Sequence, residues 1–100
     1  MTTHYLKCIP IYFYAIRDGF KPYEVRKDDR HFCVGDILVL RLWVSCSGSE
    51  GYYLKPDGNP CHHQEGYEAH FLKLKITHKL DGGQFGIEPG YCVLGIKPCP

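Results

Sequence analysis

The sequence predicts a small α+β domain whose strands form a curled or barrel-like sheet. Its 100 residues are the size of one domain, and 44% of them are hydrophobic, which is enough to build a core. Several segments alternate apolar and polar residues with the period of a strand, whereas a single early segment has helical spacing. Strands around one N-terminal helix are typical of this class.

The first two elements are predicted from a strand pattern that ends at a proline. A strand is predicted from His4 to Ile9, and Pro10 suits the first turn of a helix because its missing N–H needs no partner there. Gly19 is placed to end this short helix. The stretch from Lys21 to Lys27 alternates again and is predicted to be the second strand.

The remaining strands surround a segment of different composition. The strand predicted from Ile37 to Val44 is expected to be central, since only Arg41 interrupts its two apolar faces. Residues 45–66 hold four of the eleven glycines, so we expect a long inserted loop or small hairpin within a single domain, residues 1–100. Strands from Tyr67 to Leu80 and from Tyr91 to Ile96 complete the predicted sheet.

Bulk charge and hydropathy exclude some function classes. Twelve Lys and Arg residues against 11 Asp and Glu give a net charge of +1, so any nucleic-acid site must come from local clustering. The first residues lack the pattern of a signal peptide. The longest apolar run, Ile37 to Leu40, is far below the ~20 residues of a membrane span. We therefore expect a cytoplasmic protein with no membrane partner.

Six cysteines and six histidines in so short a chain raise the question of disulfides or a metal. Without an export signal, mostly free thiols are the better interpretation. Zinc needs four ligands, usually in close-spaced pairs, and no Cys-x-x-Cys occurs here. We expect no metal and no cofactor. Cysteines beside apolar residues, expected to act as small hydrophobes, are Cys8, Cys33 and Cys92, and the metal candidates that this spacing demotes are Cys46, Cys61, His62, His63 and His70.

A charged cluster around the second strand is the main candidate site. Glu24 and Arg26 share a face because residues two apart on a strand point the same way, and Lys21 stands where the strand begins. With Arg30 in the following turn, these cations could hold a phosphate or carbonyl group while Glu24 accepts from a base amino group. The alternative is an ordinary cross-strand ion-pair network.

Aromatic and basic residues add two weaker signals. The aromatic side chains that could stack on a base are Tyr12, Tyr14, Tyr23 and Trp43, although most of them are expected in the core. The lysines Lys73, Lys75 and Lys79 share one parity on a strand. They predict a solvated face or, alternatively, a stripe that contacts the backbone of single-stranded RNA.

Linked motifs carry a resemblance to a known family. They are His4-x-Leu6-Lys7, then Gly19-x-Lys21-x-x-Glu24-x-Arg26-Lys27-x-Asp29-Arg30-x-Phe32-x-Val34-Gly35-Asp36, the later Thr77, and Gly90-Tyr91-x-Val93-Leu94-x-Ile96. They resemble an uncharacterised, often phage-borne family in the ASCH branch of the PUA-like superfamily, over nearly the whole chain except residues 45–66. The resemblance implies a β-barrel of five to six strands with peripheral helices. It also implies a cleft for RNA or modified nucleobases.

The same resemblance leaves an enzymatic alternative open. Some ASCH members are amidohydrolases with the motif Gly-x-Lys-x-x-Thr-x-Arg, in which the lysine activates the threonine hydroxyl. This chain matches at Gly19, Lys21 and Arg26 but has Glu24 in place of the threonine, and a carboxylate cannot replace that hydroxyl in acyl transfer.

Three functions are therefore expected, in a fixed order of preference. The first is binding of RNA or a nucleotide-like ligand by Lys21, Tyr23, Glu24, Arg26 and Arg30. The second is a small hydrolase of a modified nucleobase or nucleoside, with Lys21 as the base and Glu24 activating water. The third is capture of a host protein through the 45–66 segment.

Overall fold

A computed structural model describes residues 1–46 and 49–99 and has one helix and six strands. In chain order the elements are β1 (Thr3–Cys8), α1 (Pro10–Arg17), β2 (Tyr23–Lys27), β3 (Ile37–Cys46), β4 (Ser49–Tyr53), β5 (Phe71–Asp81) and β6 (Tyr91–Pro98). The α+β class and the single N-terminal helix are confirmed. No helix within the described residues is long and apolar enough to span a membrane.

Helix α1 begins and ends where the sequence predicted. Pro10 is its first residue, and the carbonyl oxygen of Ile9 accepts a hydrogen bond from the Phe13 N–H at 2.9 Å. Beyond the helix, Gly19 adopts a φ of +82°, which a glycine tolerates without steric cost. The Lys21 N–H then donates to the Ala15 carbonyl oxygen at 3.1 Å. This reversal places Lys21 immediately beside the end of α1.

The strands form one mixed sheet in the order β1-β3-β5-β6-β2, with β4 paired to the C-terminal part of β3. Strand β1 runs parallel to β3, and the other pairs are antiparallel. Strand β3 is central, as its apolar faces predicted. Helix α1 and one face of the sheet enclose the core, whose largest fully buried side chains are Phe13, Leu38, Leu40, Leu42, Ile76, Leu94 and Cys92.

The two edge strands, β1 and β2, are connected by side chains. Among the described residues no backbone ladder joins them. Arg26 Nη2 donates to the Lys7 carbonyl oxygen at 2.8 Å, and Arg30 Nη1 donates to the Tyr5 carbonyl oxygen at 3.1 Å. The sheet therefore curls until its edges face each other across a gap bridged by two arginines. A closed barrel stays a prediction.

Residues 45–66 contain both alternatives that the sequence offered. Strand β3 continues to Cys46, and β4 pairs back onto it as a hairpin. A Cβ atom on Gly51 would collide with the Val44 carbonyl oxygen and the Trp43 ring, so only glycine allows this close approach. From Leu54 to His70 the chain is irregular, which is why β5 begins at Phe71 and not at the predicted Tyr67.

The turn before β3 is held by a buried carboxylate. Asp36 Oδ2 lies 2.9 Å from His4 Nε2 and accepts from the Cys33 N–H at 3.0 Å, while Oδ1 accepts from the Thr2 N–H at 3.0 Å. The hydrogen bond from His4, followed by those from the two backbone groups, holds the pKa of Asp36 below its ordinary value. Asp36 thus connects β1 to the turn that leads into β3.

We expect Asp36→Asn to lower the free energy of unfolding by about 2 kcal/mol at pH 7, because a charged acceptor of several hydrogen bonds is lost. A carboxyl group with a depressed folded pKa stabilises the protein above the unfolded pKa, near ~4, and loses that contribution as the pH falls through the folded pKa. Urea unfolding at pH 7 and pH 3 measures both effects. A variant as stable as the wild type at pH 7 would contradict this role.

Candidate functional site

A cleft of about 460 Å³ opens where the two edges of the sheet face each other. The end of β1, the beginning of α1 and strand β2 form its walls. Its lining residues are Lys7, Cys8, Ile9, Tyr12, Lys21, Tyr23, Glu24, Val25 and Arg26. Four of the five residues predicted to bind a ligand, namely Lys21, Tyr23, Glu24 and Arg26, are thus brought together in one cleft.

Glu24 lies at the base of this cleft and is only 3% exposed. Its Oε1 accepts a hydrogen bond from Lys21 Nζ at 2.8 Å, and its Oε2 accepts one from Arg26 Nε at 2.7 Å. Each carboxylate oxygen therefore has its own cationic donor, as a buried charge requires. The carboxylate holds both cations at the cleft wall.

Strand β2 exposes its apolar residues and turns Glu24 and Arg26 inward. The alternation predicted from the sequence is present, but Tyr23 and Val25 face solvent, at 44% and 53% exposure, while Glu24 faces inward. The expectation that Tyr23 belongs to the core is wrong. The physical reason is that the inner face of this edge strand meets the unpaired carbonyl groups of β1, which need hydrogen-bond donors such as Arg26.

Helix α1 likewise exposes aromatic rings that the sequence placed in the core. Tyr12 and Tyr14 are both exposed, because the helix turns Phe13 and Ile16 toward the sheet. Tyr12 borders the cleft, opposite the tyrosine of β2.

Two tyrosine rings flank the lysine at the mouth of the cleft. Lys21 Nζ lies 4.5 Å from the ring centroid of Tyr12 and 5.2 Å from that of Tyr23, both within cation–π range. The ammonium group is therefore oriented by one carboxylate and two rings. Both rings retain exposed surface, which leaves area on which a planar ligand can stack.

Arg30 does not line the cleft. Its guanidinium group donates to the Tyr5 carbonyl oxygen, two residues along β1 from the carbonyl that Arg26 binds. Both arginines satisfy the free edge of β1, but Arg30 does so outside the cleft and remains exposed. The expectation that it converges with Lys21 on one ligand is not met by this geometry.

Lys7 and Cys8 line the cleft and were not among the predicted site residues. Lys7 Nζ lies 4.7 Å from the Trp43 ring centroid. The signal available in the sequence was the place of Lys7 in the family motif beside Leu6. Lys7 therefore borders the cleft, with its ammonium group directed at a ring that does not line it.

Burial, followed by the charge of Glu24, raises the pKa of the Cys8 thiol to about 11. Cys8 and Cys92 are buried, as expected of small hydrophobes, whereas Cys33 is exposed, so that expectation is wrong for Cys33. Cys33 lies in the turn before β3, where no core surface covers it.

We expect a thiol reagent at pH 8 to modify Cys33 first and to leave Cys8 and Cys92 unmodified until the protein unfolds. The reason is that only an accessible thiolate reacts, and burial raises the pKa of both protected thiols. Mass spectrometry of peptides after timed labelling measures the order. Modification of Cys8 at the rate of Cys33 would show that the base of the cleft is open to reagents.

A second cleft, of about 420 Å³, lies beside the first and shares Lys7 with it. Strand β4 and the loop after it supply Tyr53, Cys61, His62 and His63 to its lining. Within residues 1–46 and 49–99, no three His, Cys, Asp or Glu side chains come close enough to hold a metal ion.

Comparison with known proteins yields one family. A family model described as a domain of unknown function, DUF3850, matches residues 3–96. No curated protein matches the chain. The matched region includes α1, reaches into every strand and contains all the residues that line the first cleft.

Proposed function

The chain belongs to the DUF3850 family, and we propose that it binds RNA or a nucleotide-like ligand in the cleft between β1, α1 and β2. The observation that carries the proposal is the arrangement around Glu24. This buried carboxylate holds Lys21 and Arg26 side by side, next to exposed tyrosine rings. Cations and stacking surfaces in one concave site suit a ligand that has both a phosphate and a base.

The donors that remain free give each part of such a ligand a partner. The Lys21 ammonium has three protons and gives one to Glu24, and Arg26 has five donors and uses Nε and one from Nη2 within the protein. The others are available to phosphate oxygens. The base stacks on Tyr12 or Tyr23. A volume of about 460 Å³ lies in the range of small-molecule sites, roughly 300–1,000 Å³.

The proposal extends to the fold. We regard the curled sheet as an ASCH-type barrel of the PUA-like superfamily, in which Arg26 and Arg30 close the seam between β1 and β2. A strand ladder at this seam would fill the space that the cleft occupies. The side-chain closure therefore supports a ligand site at the seam.

Binding fits this geometry better than hydrolysis does. A general base needs a free lone pair, but Lys21 is engaged with Glu24 as a hydrogen-bond donor. Glu24 itself is only 3% exposed, which leaves little room for a water molecule beside its carboxylate. The hydrolase of modified nucleosides is therefore the second candidate, and it predicts turnover that Lys21→Ala abolishes.

Calorimetric titration with the four ribonucleoside 5′-monophosphates, at about 50 and 200 mM salt, tests the proposal. We expect binding that weakens with salt, a loss of about tenfold or more in Arg26→Glu, and a clear loss in Tyr23→Ala, whose exposed ring is not needed for the core. Arg17→Glu is the control because Arg17 is exposed, does not line the cleft and contacts its neighbours Asp18 and Tyr14. No binding of any nucleotide at low salt would refute the proposal.

Incubation with acylated nucleosides decides between the two candidates. Product formation that Lys21→Ala abolishes would establish the hydrolase, and no turnover on any of them would reject it. Capture of a host protein by the 45–66 segment stays a prediction.

A further inference from the structure

The outer face of the sheet, on the side away from the core, has an ordered pattern of side chains. Strand register aligns them in three rows across β1, β3, β5 and β6. The first row is Lys7, Arg41 and Phe71, the second is Tyr5, Val39 and Lys73, and the third is Thr3, Ile37, Lys75 and Lys97. We call these ten residues the outer sheet face.

The outer sheet face concentrates positive charge in a nearly neutral protein. It carries five cations and no carboxylate, although the whole chain has a net charge of only +1. Within the described part of the chain, none of the five forms an ion pair with a carboxylate. Lys79, whose parity in the sequence matches that of Lys73 and Lys75, instead pairs with Asp28 at 2.8 Å after a register shift in β5.

One contact on this face opposes folding. Lys75 and Lys97 stand directly opposite each other on antiparallel strands. Like charges in that position repel and lower the stability of the sheet. Folding therefore does not explain the arrangement, whereas a bound polyanion would offset the repulsion.

Aromatic rings are interleaved with these cations. Tyr5 and Phe71 are 51% and 55% exposed, and they lie on either side of β3. The Arg41 guanidinium group lies 4.6 Å from the ring centroid of Tyr5. A trough of about 360 Å³ runs between them, and Tyr67 forms a further wall. Exposed rings beside cations form the kind of surface on which unpaired bases stack.

We propose that the outer sheet face binds an unpaired RNA strand, with bases on Tyr5 and Phe71 and phosphates on the lysines and Arg41. The cations favour a polyanion, and the two rings favour one with planar groups over an anionic lipid surface or an acidic peptide. Lys7 belongs to this face and also lines the first cleft, so one strand can contact both. The choice of RNA rests on the proposed function of that cleft, but the polyanion surface does not.

Fluorescence anisotropy with a labelled octamer of uridylate RNA, from about 50 to 200 mM salt, tests this surface. We expect Lys73→Glu with Lys75→Glu to weaken binding at least about tenfold and to reduce the salt dependence. The double variant should fold, because the new carboxylate at 75 lies opposite Lys97. Phe71→Ala should weaken binding about tenfold with little change in salt dependence. Arg17→Glu with Lys27→Glu, an equal charge change at two exposed positions outside the outer sheet face, is the control and should have less than about a twofold effect.

The outcomes separate this surface from the cleft. If both variants of the outer sheet face bind the octamer as the wild type does, the proposed RNA surface is wrong, whether or not uridine monophosphate binds in the cleft. Failure of the monophosphate to bind, together with octamer binding that depends on the face, would refute the cleft and support the surface. Equal binding of a matched DNA octamer would overturn the choice of RNA. Binding to phosphatidylserine vesicles without binding to the octamer would overturn the proposal in favour of a membrane surface.

Discussion

Replacing Glu24 by alanine will lower the free energy of unfolding by about 3 kcal/mol and abolish the ligand binding proposed for the cleft. The carboxylate is buried and is the shared partner of Lys21 and Arg26, at 2.8 and 2.7 Å. Its removal leaves two adjacent cations without their counter-charge, and the loss of one member of a buried ionic network costs several kcal/mol. Urea unfolding followed by circular dichroism measures the change.

Two further variants identify the cause of this loss. Glu24→Gln keeps the size of the side chain and removes the charge, so it should be destabilising but less so than alanine. Asp18→Ala removes an exposed carboxylate that pairs with Arg17, and it should cost less than about 1 kcal/mol. A loss below about 1 kcal/mol in Glu24→Ala would show that the network contributes no more to stability than a surface ion pair does.

Replacing Phe13 by alanine will have the largest effect on stability alone, about 4 kcal/mol. The ring is fully buried between α1 and the sheet, and its centroid lies 4.9 Å from that of His70. Alanine would leave a cavity that the surrounding β-structure cannot fill. The melting temperature and the urea midpoint measure the loss.

The same helix offers a matched control. Ile11→Ala also removes apolar atoms from α1, but Ile11 is exposed, so it should change stability by less than about 0.5 kcal/mol. Because α1 carries Tyr12 and its end positions Lys21, the Phe13 variant should also bind nucleotide more weakly even where it remains folded. Equal stability of the two variants would contradict the packing described for α1.

Local chemistry explains what the sequence revealed of the fold. Pro10 and Gly19 marked the two ends of α1 because each residue acts through its own backbone. The apolar faces between Ile37 and Val44 indicated a central strand because burial on both sides needs both parities. The sequence could not predict which face of β2 points inward, because alternation separates two faces without saying which one is buried. At this edge of the sheet the polar face points inward.

The candidate site was likewise predictable from the sequence only in part. Glu24 and Arg26 were found because their spacing is local to one strand. The backbone acceptors of Arg26 and Arg30 were not found, because these carbonyl groups of β1 lie 19 and 25 residues away and leave no mark in a sequence. The outer sheet face is formed by the register between strands, which the sequence does not show. Only the shared parity of Lys73 and Lys75 on one strand indicated it.

The most direct test of the central claim is an NMR titration of the whole protein with uridine 5′-monophosphate at low salt. The account predicts that backbone amide shifts will cluster at Lys7, Tyr12, Lys21, Tyr23, Glu24 and Arg26, and that Tyr23→Ala will reduce them. Shifts confined to other surfaces, or none at millimolar nucleotide, would contradict a nucleotide-binding cleft between β1, α1 and β2.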